Sequence, residues 1–313
     1  MSTFSVVIPT RNRPASIVHC LDALANQDFA PETFEVIVVD DGSETSLNLD
    51  TNRWIGRLEI RLIRQDNSGP GGARNRGVQE ATGVYLAFTD DDCVPTKSWL
   101  SELHSILRDH PNALVGGTTF NGLKDRFFSE VSQSILGFVY EHFNKKCEDA
   151  YFFTSNNMGC RRSDFLSIGG FDSTFQIASE DRDLCSRWRQ SGRSLFWRKA
   201  ALVEHRHAQD FYGFVRLHFR YGQGAWKYQK SDKTDTPSSL GSESSFHLAL
   251  PKLILRRLRG ESIIRGIGII AALVLWQVVY LAGYLYEVIR NQIRKESLYK
   301  EGSSRIIVGK SIE

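Results

Sequence analysis

The apolar run Val84-Tyr85-Leu86-Ala87-Phe88 ends in Thr89-Asp90-Asp91-Asp92. Three adjacent carboxylates after a strand-like segment store repulsion that a folded core does not need, so a cation belongs beside them. Side chains alternate at an extended strand end, which sets Asp90 and Asp92 on one side. Hard oxygen ligands so placed suit Mg or Mn and, through the metal, a diphosphate. That is the chemistry of a nucleotide-handling site; the structural alternative is an acidic turn or a helix N-cap ahead of Pro95 and Trp99. Glu180-Asp181 forms a second acidic pair, just before Leu184, Cys185 and Trp188 at helical core spacing. Acids at a helix start are commonly caps. His205 and His207 follow the strand-like Ala200-Ala201-Leu202-Val203 in the pattern Val-Xaa-His-Xaa-His, so both rings project to one face.

These groups need elements to position them. Phe4 to Pro9 is a continuous apolar run and reads as a strand buried on both faces, followed by a helix from Pro14 to about Asn26. Phe34 to Val39 repeats the pattern and ends in Asp40-Asp41-Gly42-Ser43; Leu58 to Ile63 is a third strand. The turn Gly69-Pro70-Gly71-Gly72 leads into a helix carrying Arg74 and Asn75, Val84 to Phe88 is the fourth strand, and Trp99 to Arg108 is helical. Strands alternating with helices imply an α/β fold with a mainly parallel, doubly wound sheet. Ligands of such sheets bind beyond the carboxyl ends of the strands, where Thr10, Asp41 and Asp90 to Asp92 fall. From Asn112 to Arg198 the pattern is irregular and aromatic-rich, as though built to shape a second pocket.

The 313 residues, 41% hydrophobic and 24% charged, can bury a large core. Five scattered cysteines without Cys-Xaa-Xaa-Cys spacing, and no signal peptide ahead of the first strand, lead us to expect a cytosolic domain with reduced thiols. A net charge of +3 is too small to argue for nucleic acid. No Gly-Xaa-Gly-Xaa-Xaa-Gly follows the first strand, which removes a dinucleotide-dependent oxidoreductase.

Taken in order, Val6-Val7-Ile8-Pro9-Thr10-Arg11-Asn12-Arg13, Val38-Val39-Asp40-Asp41-Gly42-Ser43, Gly71-Gly72-Ala73-Arg74-Asn75-Xaa-Gly77, Thr89 to Asp92, Asn157-Met158, Gly169-Gly170-Phe171-Asp172 and Glu180-Asp181 resemble glycosyltransferase family 2 over roughly residues 4 to 228. The resemblance implies a GT-A fold, a nucleotide-binding half joined to an acceptor half, and inverting sugar transfer from a nucleotide-sugar donor. A β-linked product would then form from an α-linked donor. Asp41 would accept from the N–H of a base such as uracil, favouring a UDP-sugar, while Pro9 and Thr10 shape the base pocket. Arg11 stands where many relatives carry an aromatic, and its guanidinium could stack on a base. Arg74 would pair with base or phosphate. Asp90 and Asp91 would lie on the nucleotide side, Asp90 holding the ribose or the waters of a Mg or Mn ion. Asp92 would ligate that ion, with His205 completing the set. Asp181 would be the general base for a hydroxyl acceptor, and Glu180 its orienting neighbour. Leu184 stands where processive synthases carry the Gln of Gln-Xaa-Xaa-Arg-Trp before Arg187-Trp188, so a polymer-extruding enzyme is not expected. A retaining transferase and a silent sugar-nucleotide-binding or scaffold protein are the alternatives.

The transferase domain is expected over residues 1–230, and Ser231 to Ser245, polar and without an apolar pattern, as a flexible linker. In the remaining region, 246–313, Gly266 to Tyr286 carries no charged residue and is bracketed by Arg256, Arg257, Arg259 and Arg265 and by Arg290, Arg294 and Lys295. At 1.5 Å per residue this segment crosses a hydrocarbon core of about 30 Å. The expected location is the cytoplasmic face of a membrane, the plasma membrane foremost, with a glycan or lipid-linked acceptor and an anchor that spans, re-enters or lies on the bilayer.

Overall fold

The computed structural model describes residues 2–231 and 240–308, with side chains for 2–231 and 245–295. The first two strands are β1 (Phe4–Thr10) and β2 (Phe34–Asp41), in which every residue but Pro9 is buried. Covered on both faces, they are largely apolar, and the buried Ser5 and Glu35 near their starts hydrogen-bond to each other. Helix α1 (Pro14–Leu24) lies on one face, where Ile17, Cys20, Leu21 and Leu24 meet Phe4, Val6, Ile8, Val36 and Val38. Helix α2 (Gly69–Glu80) lies on the other, where Ala73 and Val78 meet Val7, Ile37 and Val39. A Cβ at Gly77 would strike Val7, so this glycine lets α2 sit close to the sheet. With β3 (Glu59–Gln65) and β4 (Tyr85–Thr89), the strands pair in parallel in the order β3-β2-β1-β4. A short β5 (Cys93–Pro95) and α3 (Trp99–Asp109) follow.

Residues 112–198, irregular in sequence, are largely regular in the fold. They form β6 (Leu114–Asn121), α4 (Phe127–Phe143), β7 (Asn157–Arg161), α5 (Arg162–Ser167), α6 (Glu180–Gln190) and the start of β8 (Leu195–His205). The sheet continues β4-β7-β6-β8-β5, with β7 antiparallel to both neighbours, β8 parallel to β6 and β5 antiparallel to β8. These strands are short or interrupted by Gly116 and Gly117, and their partners lie far away in sequence, so local periodicity does not reveal them. The sheet is mainly parallel, as expected, with this mixed half added.

Three helices close the fold: α7 (Phe211–Lys230), α8 (Leu240–Arg257) and α9 (Ile263–Val308). Of the expected linker 231–245, residues 232–239 lie outside the described residues, and Leu240 already begins α8. Phe246, Leu250 and Leu253 recur at helical spacing there and pack with Val131, Ile135 and Phe138 of α4. The C-terminal region therefore shares a core with the domain it follows. The uncharged segment 266–286 falls in α9, whose stretch Ile263–Lys295 is long and apolar enough to cross a membrane. One face of α9 buries Ile269, Ala272, Leu273 and Trp276, while Ile270, Val274, Val278, Leu281 and Leu285 form an exposed apolar stripe.

α7 and α9 approach closely through glycines. A Cβ on Gly222 would strike the carbonyl oxygen of Tyr280, and one on Gly283 that of Phe219. We predict that Gly222→Val pushes the helices apart at a cost of about 1–3 kcal/mol. The urea unfolding midpoint of the full chain should fall; an unchanged midpoint would show that α9 does not pack on α7.

Candidate functional site

The carboxyl ends of β1, β2 and β4 and the start of α6 open into one cleft of about 780 Å³, lined by Pro9, Thr10, Arg11, Asp41, Arg74, Asp90, Asp91, Asp92, Glu180, Asp181 and His205. All residues singled out from the sequence thus share a single cavity. At the end of β2, Asp41 Oδ1 accepts from the Ser68 amide (2.9 Å) and Gln65 Nε2 (2.7 Å), and Oδ2 accepts from the Gly69 amide (2.9 Å). A carboxylate so held sits at the positive end of α2. Arg11 is exposed, its Nε donating to the Gly42 carbonyl at 3.3 Å. Asn12, with φ of 56°, ties the next loop: its amide donates to Ser43 Oγ and its Oδ1 accepts from the Glu44 amide, both at 2.9 Å.

Arg74 is 2% exposed and joins two distant acids. Its Nη2 donates to Asp90 Oδ1 at 2.5 Å and its Nη1 to Glu180 Oε1 at 3.4 Å, while its guanidinium lies 5.5 Å from the centre of the Phe171 ring. Burial works against the charge on Arg74; the attraction of Asp90 and Glu180 outweighs it. Arg74 lines the cleft with both ends of its guanidinium on carboxylates and is no exposed helix charge.

The other acids of the triplet divide. Asp91 turns inward, accepting from Thr10 Oγ1 at 2.7 Å and Arg13 Nη1 at 3.0 Å, and burial raises its carboxyl to about 6. Asp92 faces Arg13 Nη1 (2.8 Å), His205 Nε2 (3.3 Å) and His207 Nδ1 (3.7 Å). Burial alone would raise Asp92; its hydrogen bond and attraction to His205, helped by Arg13 and His207, hold it well below the usual carboxylate range. Sequence reasoning gave no role to Arg13 or His207. The signals were there: Arg13 closes the segment after β1, and His207 shares a strand face with His205.

Asp92, His205 and His207 offer one carboxylate and two imidazoles at the cleft; the carboxylate suits either Mn or Mg, and the two nitrogen donors fit Mn better than Mg. Cys93 Sγ lies near Asp92 and His205 too, but burial raises its thiol far above the usual range and its side chain belongs to the apolar core. It is a packing residue. Asp90, engaged by Arg74, stands beside this group rather than within it.

Opposite, Ser179 adopts a left-handed conformation (φ 79°, ψ 10°) and starts α6, so that Glu180 and Asp181 fall in its first turn. A non-glycine residue in that region stores strain of order 1–3 kcal/mol, which persists only where the surroundings enforce it. Asp181 is half-buried, its Oδ1 accepting from the Arg182 amide at 2.8 Å. Burial first, then the neighbouring Glu180 charge, raise its carboxyl to about 7. The preceding turn is clasped from α2: Asn75 Oδ1 accepts from the Phe171 amide (2.9 Å) and Asn75 Nδ2 donates to the Phe171 carbonyl (2.7 Å). Arg187 Nη2 donates to the Gly170 carbonyl at 2.7 Å while pairing with Asp183.

Comparison with known proteins accords with this geometry. The model of the family described as Glycosyl transferase family 2 matches residues 5–169, just over half of the chain. The pre-mycofactocin glycosyltransferase of Mycobacterium tuberculosis is 29% identical over 235 residues, 71% of this chain and 46% of that protein. The glucosyl-dolichyl phosphate glucuronosyltransferase of Haloferax volcanii is 25% identical over 216 residues, 64% of this chain and 68% of that protein. The chain spans less than half the length of several curated relatives that it matches. Among solved structures, the mannosyltransferase PcManGT from Pyrobaculum calidifontis, in complex with GDP-Man and Mn2+, superposes with a TM-score of 0.62 at 20% identity over 91% of this chain and 87% of that one. That likeness establishes the GT-A architecture.

Removing Arg74 would leave Asp90 and Glu180 without their shared counter-charge. We predict that Arg74→Met costs about 3–5 kcal/mol, as for other buried pairs broken on one side. Chemical denaturation of the full chain measures it; a loss below about 1 kcal/mol, the size of a surface pair, would refute the clamp.

Proposed function

The chain belongs to glycosyltransferase family 2, and we propose that it moves a sugar from a nucleotide-sugar donor to an acceptor hydroxyl, with a divalent cation and with inversion at the anomeric carbon. One observation carries this reading. A carboxyl raised to about 7, Asp181, shares a cleft with a cation-binding set of Asp92, His205 and His207. A base with that pKa is half-ionised at neutral pH, which suits proton transfer in both senses of the requirement, availability and driving force.

Each part then has a task. Pro9, Thr10, Arg11 and Asp41 would receive the base, and the acceptor lone pairs left on Asp41 favour a uracil N–H, hence a UDP-sugar. Asp92, His205 and His207 would hold Mg or Mn, which when bound neutralises charge on the leaving diphosphate as a Lewis acid. Asp90, fixed by Arg74, would meet the ribose or the waters of the ion. Asp181 takes the proton of the attacking hydroxyl, and Glu180, anchored through Arg74, keeps α6 in position and sustains the raised pKa of its neighbour. Displacement in one step turns an α-linked donor into a β-linked product without a covalent intermediate.

The acceptor is a glycan or a lipid-linked glycan, and the cleft would work at the cytoplasmic face of a membrane, where nucleotide sugars are made. The exposed apolar stripe of α9, flanked by arginines, is the membrane contact. Because α9 is packed lengthwise on α7, a helix lying at the interface fits better than one crossing the bilayer.

A panel of UDP- and GDP-sugars with Mn, read by donor cleavage and thermal stabilisation, tests the reaction class; no donor cleaved or bound would sink it. Asp92→Ala should abolish Mn-dependent binding of the nucleoside diphosphate in calorimetry, and undiminished affinity would remove Asp92 from the metal site. Asp181→Asn should retain donor binding and lose transfer by about a hundredfold or more. The wild-type rate should fall about tenfold per pH unit below about 7, as Asp181 becomes protonated, and level off above. A rate flat between pH 5 and 8 would move the base elsewhere. For the membrane, the double variant Ile270→Glu with Val278→Glu should leave the sedimenting fraction without loss of folding, whereas a wild type that is wholly soluble after fractionation would refute the contact.

A further inference from the structure

The cleft does not end at the acids. The same cavity continues between α4 and α7 under a roof made by α8 and α9. Its path is marked by rings: Tyr221 lies 5.7 Å from His218, His218 6.4 Å from Trp276, and Trp276 6.5 Å from Phe246. Leu136 and Val139 of α4 supply aliphatic wall along this arm. A hydrocarbon chain packed on these rings and aliphatic groups gives up no hydrogen bond to water.

Polar side chains, among them Ser132, Gln133, Gln209, His218 and Gln277, share this lining with the rings and aliphatic groups. Ser132 Oγ donates to Gln209 Oε1 at 2.5 Å, so its other contact, His218 Nε2 at 3.1 Å, is one in which the imidazole donates. His218 is 2% exposed, and burial lowers it to about 3, which keeps the ring neutral. Its Nδ1 is therefore a lone-pair acceptor, and it has no partner. Gln277 Nε2, a donor on α9, is likewise buried and unpartnered among the described residues.

We propose that this second arm binds the apolar tail of an amphiphilic acceptor, a hydroxylated sugar head group on a lipid chain. The head group lies toward Asp181, and the tail occupies the arm under α8 and α9 beside Leu136, Val139, Phe246 and Trp276. The outer face of the roof helix is the apolar stripe of Ile270, Val274, Val278 and Leu281, so a tail drawn from a bilayer has a short way to travel. The inference names the acceptor class of the transfer reading and rests on that reading for the reaction. In that reaction the head-group hydroxyl oxygen bonds to the anomeric carbon and the bond to the nucleoside diphosphate breaks with its electron pair. The hydroxyl proton passes to Asp181.

Methyl, octyl and dodecyl β-glucosides, each below its micelle concentration, are the probes for the full-length protein. Calorimetry should give at least a tenfold gain in affinity from methyl to octyl, with a further gain for dodecyl. Leu136→Trp, which fills the arm, should erase this dependence in a protein that melts like wild type; if it does not fold, Val139→Phe replaces it. A chain-length dependence that survives the filled arm would assign the tail to the outer stripe and overturn the proposal, as would equal binding of methyl and octyl glucoside by wild type. The binding measurement needs no donor. Donor cleavage with no chain-length effect overturns the lipid site alone; a chain-length effect erased by the filled arm, with no donor cleaved, overturns the transfer reading and upholds the site.

Discussion

The buried guanidinium of Arg74 is the interaction on which the cleft depends. It links an acid 16 positions later in the chain to one 106 positions later, from a guanidinium whose side chain is only 3% exposed. An arginine in that setting cannot shed its proton, so it holds the two carboxylates close together. The end of β4 and the start of α6 are thereby drawn to the same side of the sheet. Asn75, next to Arg74 on α2, adds a second tie through the Phe171 backbone. One turn of one helix thus sets the distance between the two walls of the site.

Around this clamp the acids are not equivalent. Asp91 is turned into the fold and shared between Thr10 and Arg13, whereas Asp92 meets two histidines at the cavity surface. The same residue type ends with a carboxyl near 6 in one case and far below the ordinary range in the other. Burial is common to both; what differs is the number of cationic partners within reach. Asp181, half-buried, moves upward instead, because desolvation and the neighbouring Glu180 charge outweigh the pull of Arg74. Three carboxyls in one cleft are given three different electrostatic environments in this way.

The C-terminal helices change the character of the cleft. α8 and α9 complete a core with α4 and Phe214 of α7, and in doing so they roof an apolar continuation of the cavity. The exposed stripe of α9 faces outward from the same roof. The exposed apolar stripe on one side of α9 and the cavity on its other side are thus separated by the thickness of one helix.

Much of this was legible in the residues. The doubly wound half follows from largely apolar runs with acids at their ends, because a strand buried on both faces leaves polar groups few other places to go. The family membership followed from the order of short motifs, and the uncharged segment of α9 from composition alone. The second half was not legible, since β6, β7 and β8 owe their pairing to partners far away in sequence and α4 and α7 mix aromatic with polar residues. Nor could spacing reveal that Arg74 faces Asp90 and Glu180, that Arg13 and His207 join Asp92, or that α8 begins inside an expected linker. A sequence determines which groups can ionise, coordinate or pack, because those are properties of side chains. Which of them meet, and what their pKa values become, depends on distances and on exclusion of water that exist only once the chain has closed on itself.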